Sequence, residues 1–316
     1  MIFNPLKANS KKDPNSYKDL VDLFFKWRDF ENPPLMNGAP DYTKRRFDSA
    51  KKEFNSLQKR LEKIDTTDWP IYYQVDWQIV HAEMNGYDFN QRVLRPWVRD
   101  PAFYQTVWMY QSDVPAHEGP TNHGTLEFWT YEFPLDDESS NNLANQLLMI
   151  PHFLFQAKGN LTGDARDLWV AGIENFKEQA ENLGVIEAKI IKHHGNSLDR
   201  VLNKPLKKAI DANNDFIQWL VDKAPSKKGP SGIGKENYSW YQKNVHLVPL
   251  SWEEEVSLLQ RELDRAWSSL KMEEHLNRNL PPMVSAKTEN EFDIMIMVVF
   301  FEMFFKLNDT IALEKS

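Results

Sequence analysis

The chain has 316 residues, enough to bury a core as one large domain or two smaller ones. Its apolar content (41%) and charged content (27%) are those of an ordinary globular protein, and the net charge of −8 argues against a nucleic-acid partner, which would need a basic face. With no cysteine, disulfides and thiolate metal sites are excluded.

Helical spacing dominates the chain from its start. The first fifteen residues hold no long apolar core, so they do not read as a secretory signal. Residues 16–30 form the first predicted helix, with Leu20, Leu23, Phe24 and Trp27 on one face. Asn32-Pro33-Pro34 ends it, because proline lacks an N–H and disfavours helix in the residue before it. Residues 42–64 form a long second helix. Phe47, Ala50, Phe54, Leu57, Leu61 and Ile64 step by three and four along it, with Lys and Glu opposite.

Pro70 opens a third helix, and the segment from Val75 to Tyr104 organises the chain. Asp76, Ile79, Val80, Glu83 and Tyr87 recur with the spacing of one helix face. Arg92, Arg95 and Arg99 follow, interrupted by Pro96, close to Trp77, Trp97 and Tyr104. Two acids and three arginines among aromatic rings make either a buried ion-pair knot or the wall of a polar pocket. Residues 101–134 are the least regular stretch, rich in aromatics, proline and glycine. A loop of that length inside a compact domain is often functional.

Helix returns over residues 141–158, with a bend expected at Pro151. Thr162 is the expected N-cap of a helix through Trp169 and Phe176 to Leu183, and residues 185–194 and 206–223 continue the pattern. The turn cluster at residues 225–234, PSKKGPSGIG, is the candidate internal hinge. Ser251-Trp-Glu-Glu254 and Thr288-Glu-Asn-Glu291 both have capping-box spacing and open the last two predicted helices. The final one, FDIMIMVVFFEMFFKL, is apolar nearly all round, so it wants burial on every side. It is shorter than a membrane span. A missing C-terminal half, a partner chain or a second copy packing on Phe300, Phe301, Phe304 and Phe305 would supply that burial; so would a central place in the fold. The expected architecture is all-α: a single helical domain over residues 1–316, an array of long antiparallel helices with one irregular aromatic-rich loop region.

Three passages carry a family resemblance: AEMNGYDFNQRVLRPWVRDPAFY, LLMIPHFLFQAKGNLTGDARDLWVAGIENF and VSLLQRELDRAWSSLKMEEHLNRNLP. Together they resemble the N-terminal half of the bacterial domain-of-unknown-function 885 family. Members of that family are similar to helical zinc peptidases and are usually about twice as long as this chain. The resemblance therefore implies a scaffold and substrate-channel half of a hydrolase acting on peptides. Zinc and the catalytic residues would then belong to a C-terminal half beyond Ser316.

The histidines agree with that division. A zinc hydrolase helix needs His-Glu-x-x-His, so that two imidazoles one turn apart reach one ion. His81 has Asn85 one turn on. His117-Glu118 runs into Gly119-Pro120 before His123, and His193 and His194 are adjacent. No metal site is assigned to this chain, although His117, Glu118 and His123 together could hold a metal or polarise a water. His152 reads as a core histidine. Gly-x-Ser-x-Gly is absent, which argues against an α/β-hydrolase elbow, and Ser231-Gly-Ile-Gly234 lacks the ending of a phosphate loop.

The substrate-binding candidates are Arg92, Arg95, Trp97, Tyr104 and His117, joined through the resemblance by Tyr238, which follows the Gly-containing turn. Two other readings stand beside the hydrolase half. One is a non-catalytic helical interaction module associating through its last helix. The other is a self-contained enzyme using Asp76, Glu83 and the arginines. With no membrane span, the chain is expected in the cytoplasm, or outside it if the natural protein begins earlier with a signal peptide.

Overall fold

The structure is a computed structural model. It describes residues 15–111, 123–194, 201–280, 286–288, 291–292, 294 and 296. The fold is all-α; among the described residues strands occur only as two-residue pairs. The chain divides into two compact units, Met1–Glu254 and Glu255–Ser316. Among the described residues no helix is long and apolar enough to cross a membrane.

The first unit holds two cores. Helices α1 (Asn15–Glu31), α2 (Lys44–Glu62) and α3 (Ile71–Phe89) enclose one of them. Leu20, Leu23 and Trp27 meet Ala50, Phe54, Leu57 and Leu61, the same stripes that the helical spacing marks. Between α1 and α2 lies a short hairpin, β1 (Leu35–Met36) and β2 (Ala39–Pro40). Asn37 and Gly38 turn it, both at positive φ, as the tightest two-residue hairpins require. Thr43 then caps α2, its side chain accepting from Arg46 N.

The second core lies among α5 (Asp137–Asn160), α6 (Arg166–His194) and α7 (Asn203–Lys223). Pro151 sits inside α5 without ending it. The two helical stretches read separately at residues 162–183 and 185–194 are one continuous helix, α6. It starts at Arg166, four residues after the expected cap. Its first amides are capped from far along the chain: Ser231 Oγ accepts from Asp167 N (2.8 Å) and Leu168 N (3.4 Å).

Among the described residues, part of the irregular stretch after residue 100 is core. Phe103, Tyr104, Val107, Leu126 and Phe128 are buried in the second cluster. Gln179, fully buried on α6, accepts from Thr106 N and Val107 N at 2.7 and 3.0 Å, so the strand β3 (Val107–Trp108), paired in parallel with β4 (Leu126–Glu127), is tied to a helix. A chain this irregular can be buried because a side chain replaces the missing ladder partner.

The turn at residues 225–234 is strapped down at several points. Arg99 donates to Pro230 O and Ser231 O at 3.2 and 2.9 Å, Lys228 N donates to Asp164 Oδ1 at 2.6 Å, and Arg166 N donates to Gly229 O at 3.1 Å. From this anchored turn the chain enters α8 (Lys235–Tyr241). The long helix α9 (Trp252–Leu276) opens on a reciprocal capping box, Ser251 N to Glu254 Oε2 at 2.7 Å and Glu254 N to Ser251 Oγ at 3.2 Å. In the second unit, Glu291 N donates to Thr288 Oγ1 at 3.2 Å, the matching cap for the last predicted helix.

Candidate functional site

A cavity of about 390 Å³ opens in the first unit. That size suits a ligand of two or so amino-acid residues. Its wall comes from the end of α1, the first turns of α2, the middle of α3, the short helix α4 (Pro96–Arg99) and the segment after α8. Two helix ends shape it. α3 runs into a π-helical turn, Asn90–Leu94, closed by Arg95 at φ 43°, and α8 runs into a second, Gln242–His246, closed by Leu247 at φ 58°. Such widened turns are costly and concentrate at functional sites, and a non-glycine residue in the left-handed region adds about 1–2 kcal/mol each.

Local sequence explains how the second π turn packs against α3. Gly86 leaves room for the second one: a Cβ there would stand 3.2 Å from Val245. Asn85 Nδ2 donates to Asn244 O at 3.1 Å, and Phe89 stacks on Trp240 with centroids 5.5 Å apart. α3 and the α8 segment are thus locked along the side of α3 that faces the cavity.

The polar groups of the wall fall into two sets. In the first, every acid already has a donor. Arg28 donates to Glu31 and to Glu83, both at 2.7 Å, and Glu83 also accepts from Trp27 Nε1 at 3.3 Å. Asp41 accepts from Thr43 N at 2.9 Å. In the second set the groups lack partners among the described residues. The Arg46 guanidinium lies 5.7 Å from the Phe30 ring centroid and has no hydrogen-bonding or ionic partner for its side chain among the described residues. Asn90 Oδ1 is buried without a donor. The apolar part of the wall is aromatic, led by the stacked pair Phe47 and Trp97 at 4.0 Å.

Burial sets the titration of the site. The Tyr87 phenol is pushed up to about 12 by burial, which the nearby Arg46 charge partly offsets. The Glu31 carboxyl is held above its ordinary value of 4.5, first by burial, with the Arg28 pair pulling the other way. A raised folded pKa means that the native state holds this proton more tightly than the unfolded chain. The group's stabilising contribution is therefore complete below the ordinary value and is lost as pH rises through the folded one. Glu31→Gln, uncharged throughout, removes that dependence. The melting temperature of the wild type minus that of the variant is expected to fall as pH rises above the ordinary glutamate value. A difference that rises with pH would mean that the Arg28 pair outweighs burial.

The sequence candidates separate in space. Trp97 lines the cavity. Arg92 lies outside its lining, paired with Asp88 at 2.5 Å and placed 5.4 Å from the Trp240 ring centroid. Arg95 is exposed, and its backbone rather than its side chain shapes the wall by closing the π turn. Tyr104 is fully buried in the second core. Its hydroxyl donates to Trp97 O and accepts from Asn160 Nδ2, both at 2.9 Å, which buttresses Trp97 from behind. Tyr238 is half-buried on α8 outside the lining. His117 and Glu118 lie outside the described residues, whereas His123 lines the cavity, its backbone N–H donating to the Tyr42 hydroxyl at 3.0 Å.

Asp76 accepts from Tyr17 at 2.7 Å, so it and Glu83 act as clamps between α1 and α3. Of the face marked by the spacing of α3, Ile79, Glu83 and Tyr87 do line the cavity. Arg28 and Arg46 were not legible as cavity residues: each sits among other charged residues on an amphipathic helix, where a solvated face is the ordinary expectation.

No family model matches the chain. No curated protein matches it either. A solved chain shares the fold. It is described as "a putative lipoprotein of unknown function from Shewanella oneidensis", with a TM-score of 0.56 and 13% sequence identity over 89% of this chain and 51% of that one. At that identity the likeness is one of fold alone. This chain spans about half the length of that solved chain.

Among the described residues, no group of three or more His, Asp or Glu side chains could hold a metal ion. The cavity's acids are engaged by Arg28 and Thr43, so these residues do not fit a zinc centre.

Proposed function

We propose that this chain is the helical scaffold and substrate-receiving half of a metallopeptidase-like hydrolase of the domain-of-unknown-function 885 type. In this reading the cavity between α1, α2, α3 and the second π turn is part of the substrate channel. The observation that carries it is the cavity itself: aromatic walls, two strained helix ends and open polar groups in a place where a plain structural interface would have been filled. A further polypeptide segment, in the same chain or a separate one, supplies the hydrolytic residues and any zinc. Cytoplasmic placement belongs to the same proposal.

The test is the native mass and subunit content of the protein isolated from its source cells, assayed together with peptide hydrolysis. The expected result is a polypeptide or stable complex about twice the 37.1 kDa of this chain. It should contain a His-Glu-x-x-His segment, with activity that a chelator abolishes and zinc restores. A monomer or homo-oligomer of this chain alone, without hydrolase activity, would sink the proposal. That outcome favours the second reading, a non-catalytic interaction module. The observation behind it is α9, where Leu259, Leu263, Trp267 and Leu270 share one face by their spacing. The further partner surface at Phe300, Phe301, Phe304 and Phe305 lies outside the described residues.

A further inference from the structure

We propose that Arg46 is the anchor for a carboxylate on the ligand of this cavity, and that the ligand is an apolar or aromatic acyl amino acid or a short peptide with a free C-terminus. The inference deepens the reading of the cavity as a substrate channel and rests on that reading.

Cavity chemistry separates the candidate ligands. A cationic ligand would have to compete with Arg28 for Glu31 and Glu83, the two acids it bridges, while Asp41 accepts from Thr43 N. Arg46 is the converse case: it lines the cavity beside Phe30, and its side chain has no acceptor among the described residues. Contact with the Phe30 ring, 5.7 Å from the guanidinium carbon, uses none of the N–H groups as hydrogen-bond donors to an acceptor atom, so they remain to pair with the two oxygens of one carboxylate. Arg46 also lies in the first turn of α2, where the helix dipole adds to the positive potential.

One further feature points to the same class of ligand. Phe47 and Trp97 give a stacked aromatic surface against which an apolar side chain can be buried. A carboxylate and an apolar side chain on one short backbone are the parts of an acyl amino acid or of a peptide's C-terminus.

The experiment is titration calorimetry of the full chain with N-acetyl-Phe-Phe and with its C-terminal amide. Wild type, Arg46→Gln and Arg46→Lys are compared after circular dichroism confirms that each is folded. The wild type is expected to bind the acid at least about tenfold more tightly than the amide. Arg46→Gln should abolish that preference while leaving the amide unchanged, and Arg46→Lys should restore part of it, because a point charge lacks the two-pronged geometry.

Equal binding of acid and amide by the wild type would overturn the anchor and leave the cavity as a binding site. So would an acid preference that survives in Arg46→Gln. No binding of either probe at millimolar concentration would overturn both. Because the titration involves no hydrolysis, its result is separate from the test for a hydrolytic partner.

Discussion

Replacing Gln179 with leucine is expected to cost roughly 3–5 kcal/mol, enough to threaten folding of a domain whose whole margin is about 5–15 kcal/mol. Gln179 is fully buried, and its amide serves two irregular parts of the fold at once. Its Oε1 accepts from Thr106 N and Val107 N, and its Nε2 donates to Asn213 Oδ1 at 2.8 Å; Asn213 in turn donates to Phe176 O at 3.1 Å. Leucine fills the same space but leaves two buried N–H groups and one amide oxygen without partners. Each such group costs about 1–3 kcal/mol, because its bonds to water are lost and nothing replaces them. Urea unfolding of Gln179→Leu beside Thr106→Val measures this. The second variant removes only a 3.3 Å hydroxyl contact and should lose about 1 kcal/mol or less. Near-equal losses in the two variants would show that the irregular strand does not depend on Gln179.

Gly229→Ala is the second substitution with a large expected effect, about 2–4 kcal/mol. A Cβ at this position would lie 2.1 Å from Asp164 O, so one backbone must give way. The movement would break the Arg166 N to Gly229 O bond and pull Ser231 from the amides it caps at the start of α6. The same turn leads into α8 and from there to the second π turn. The loss should therefore reach the cavity, weakening the acid probe as well as lowering the melting temperature. Gly232→Ala is the control, since nothing lies within 4 Å of its Cβ position, and it should stay near wild type. If Gly229→Ala melts with Gly232→Ala, the strap between this turn and α6 is not rigid.

Where the sequence was legible, local physics sufficed. The stripes Leu20-Leu23-Trp27 and Ala50-Phe54-Leu57-Leu61 became core because a 3.6-residue period leaves an amphipathic helix one way to bury its apolar side. Ser251 and Glu254 formed their reciprocal cap because both partners lie within one turn. Where the deciding partner is distant in the chain, the reading stopped short. The start of α6 depends on Ser231, more than sixty residues away, so Thr162 looked like the cap. Residues 101–134 read as an irregular loop, because nothing nearby in sequence shows that Gln179 completes the hydrogen bonds of Thr106 and Val107.

The cavity divides along the same line. Ile79, Glu83, Tyr87 and Trp97 were visible as a patterned face and an aromatic in an arginine-rich segment. Arg46, in a run of charges on α2, was indistinguishable from a solvated residue. Its environment is made by Phe30 of α1 and by the two π turns, which helical periodicity does not encode. The sequence alone determined an all-helical chain, its apolar stripes and most of its helix boundaries, because these follow from contacts within a few residues. Only the tertiary structure decided which charges are satisfied and which stay open around the cavity, because a charge is neutralised by what lies near it in space, and Arg28 and Arg46 look alike until Glu83 of α3 is placed beside one of them.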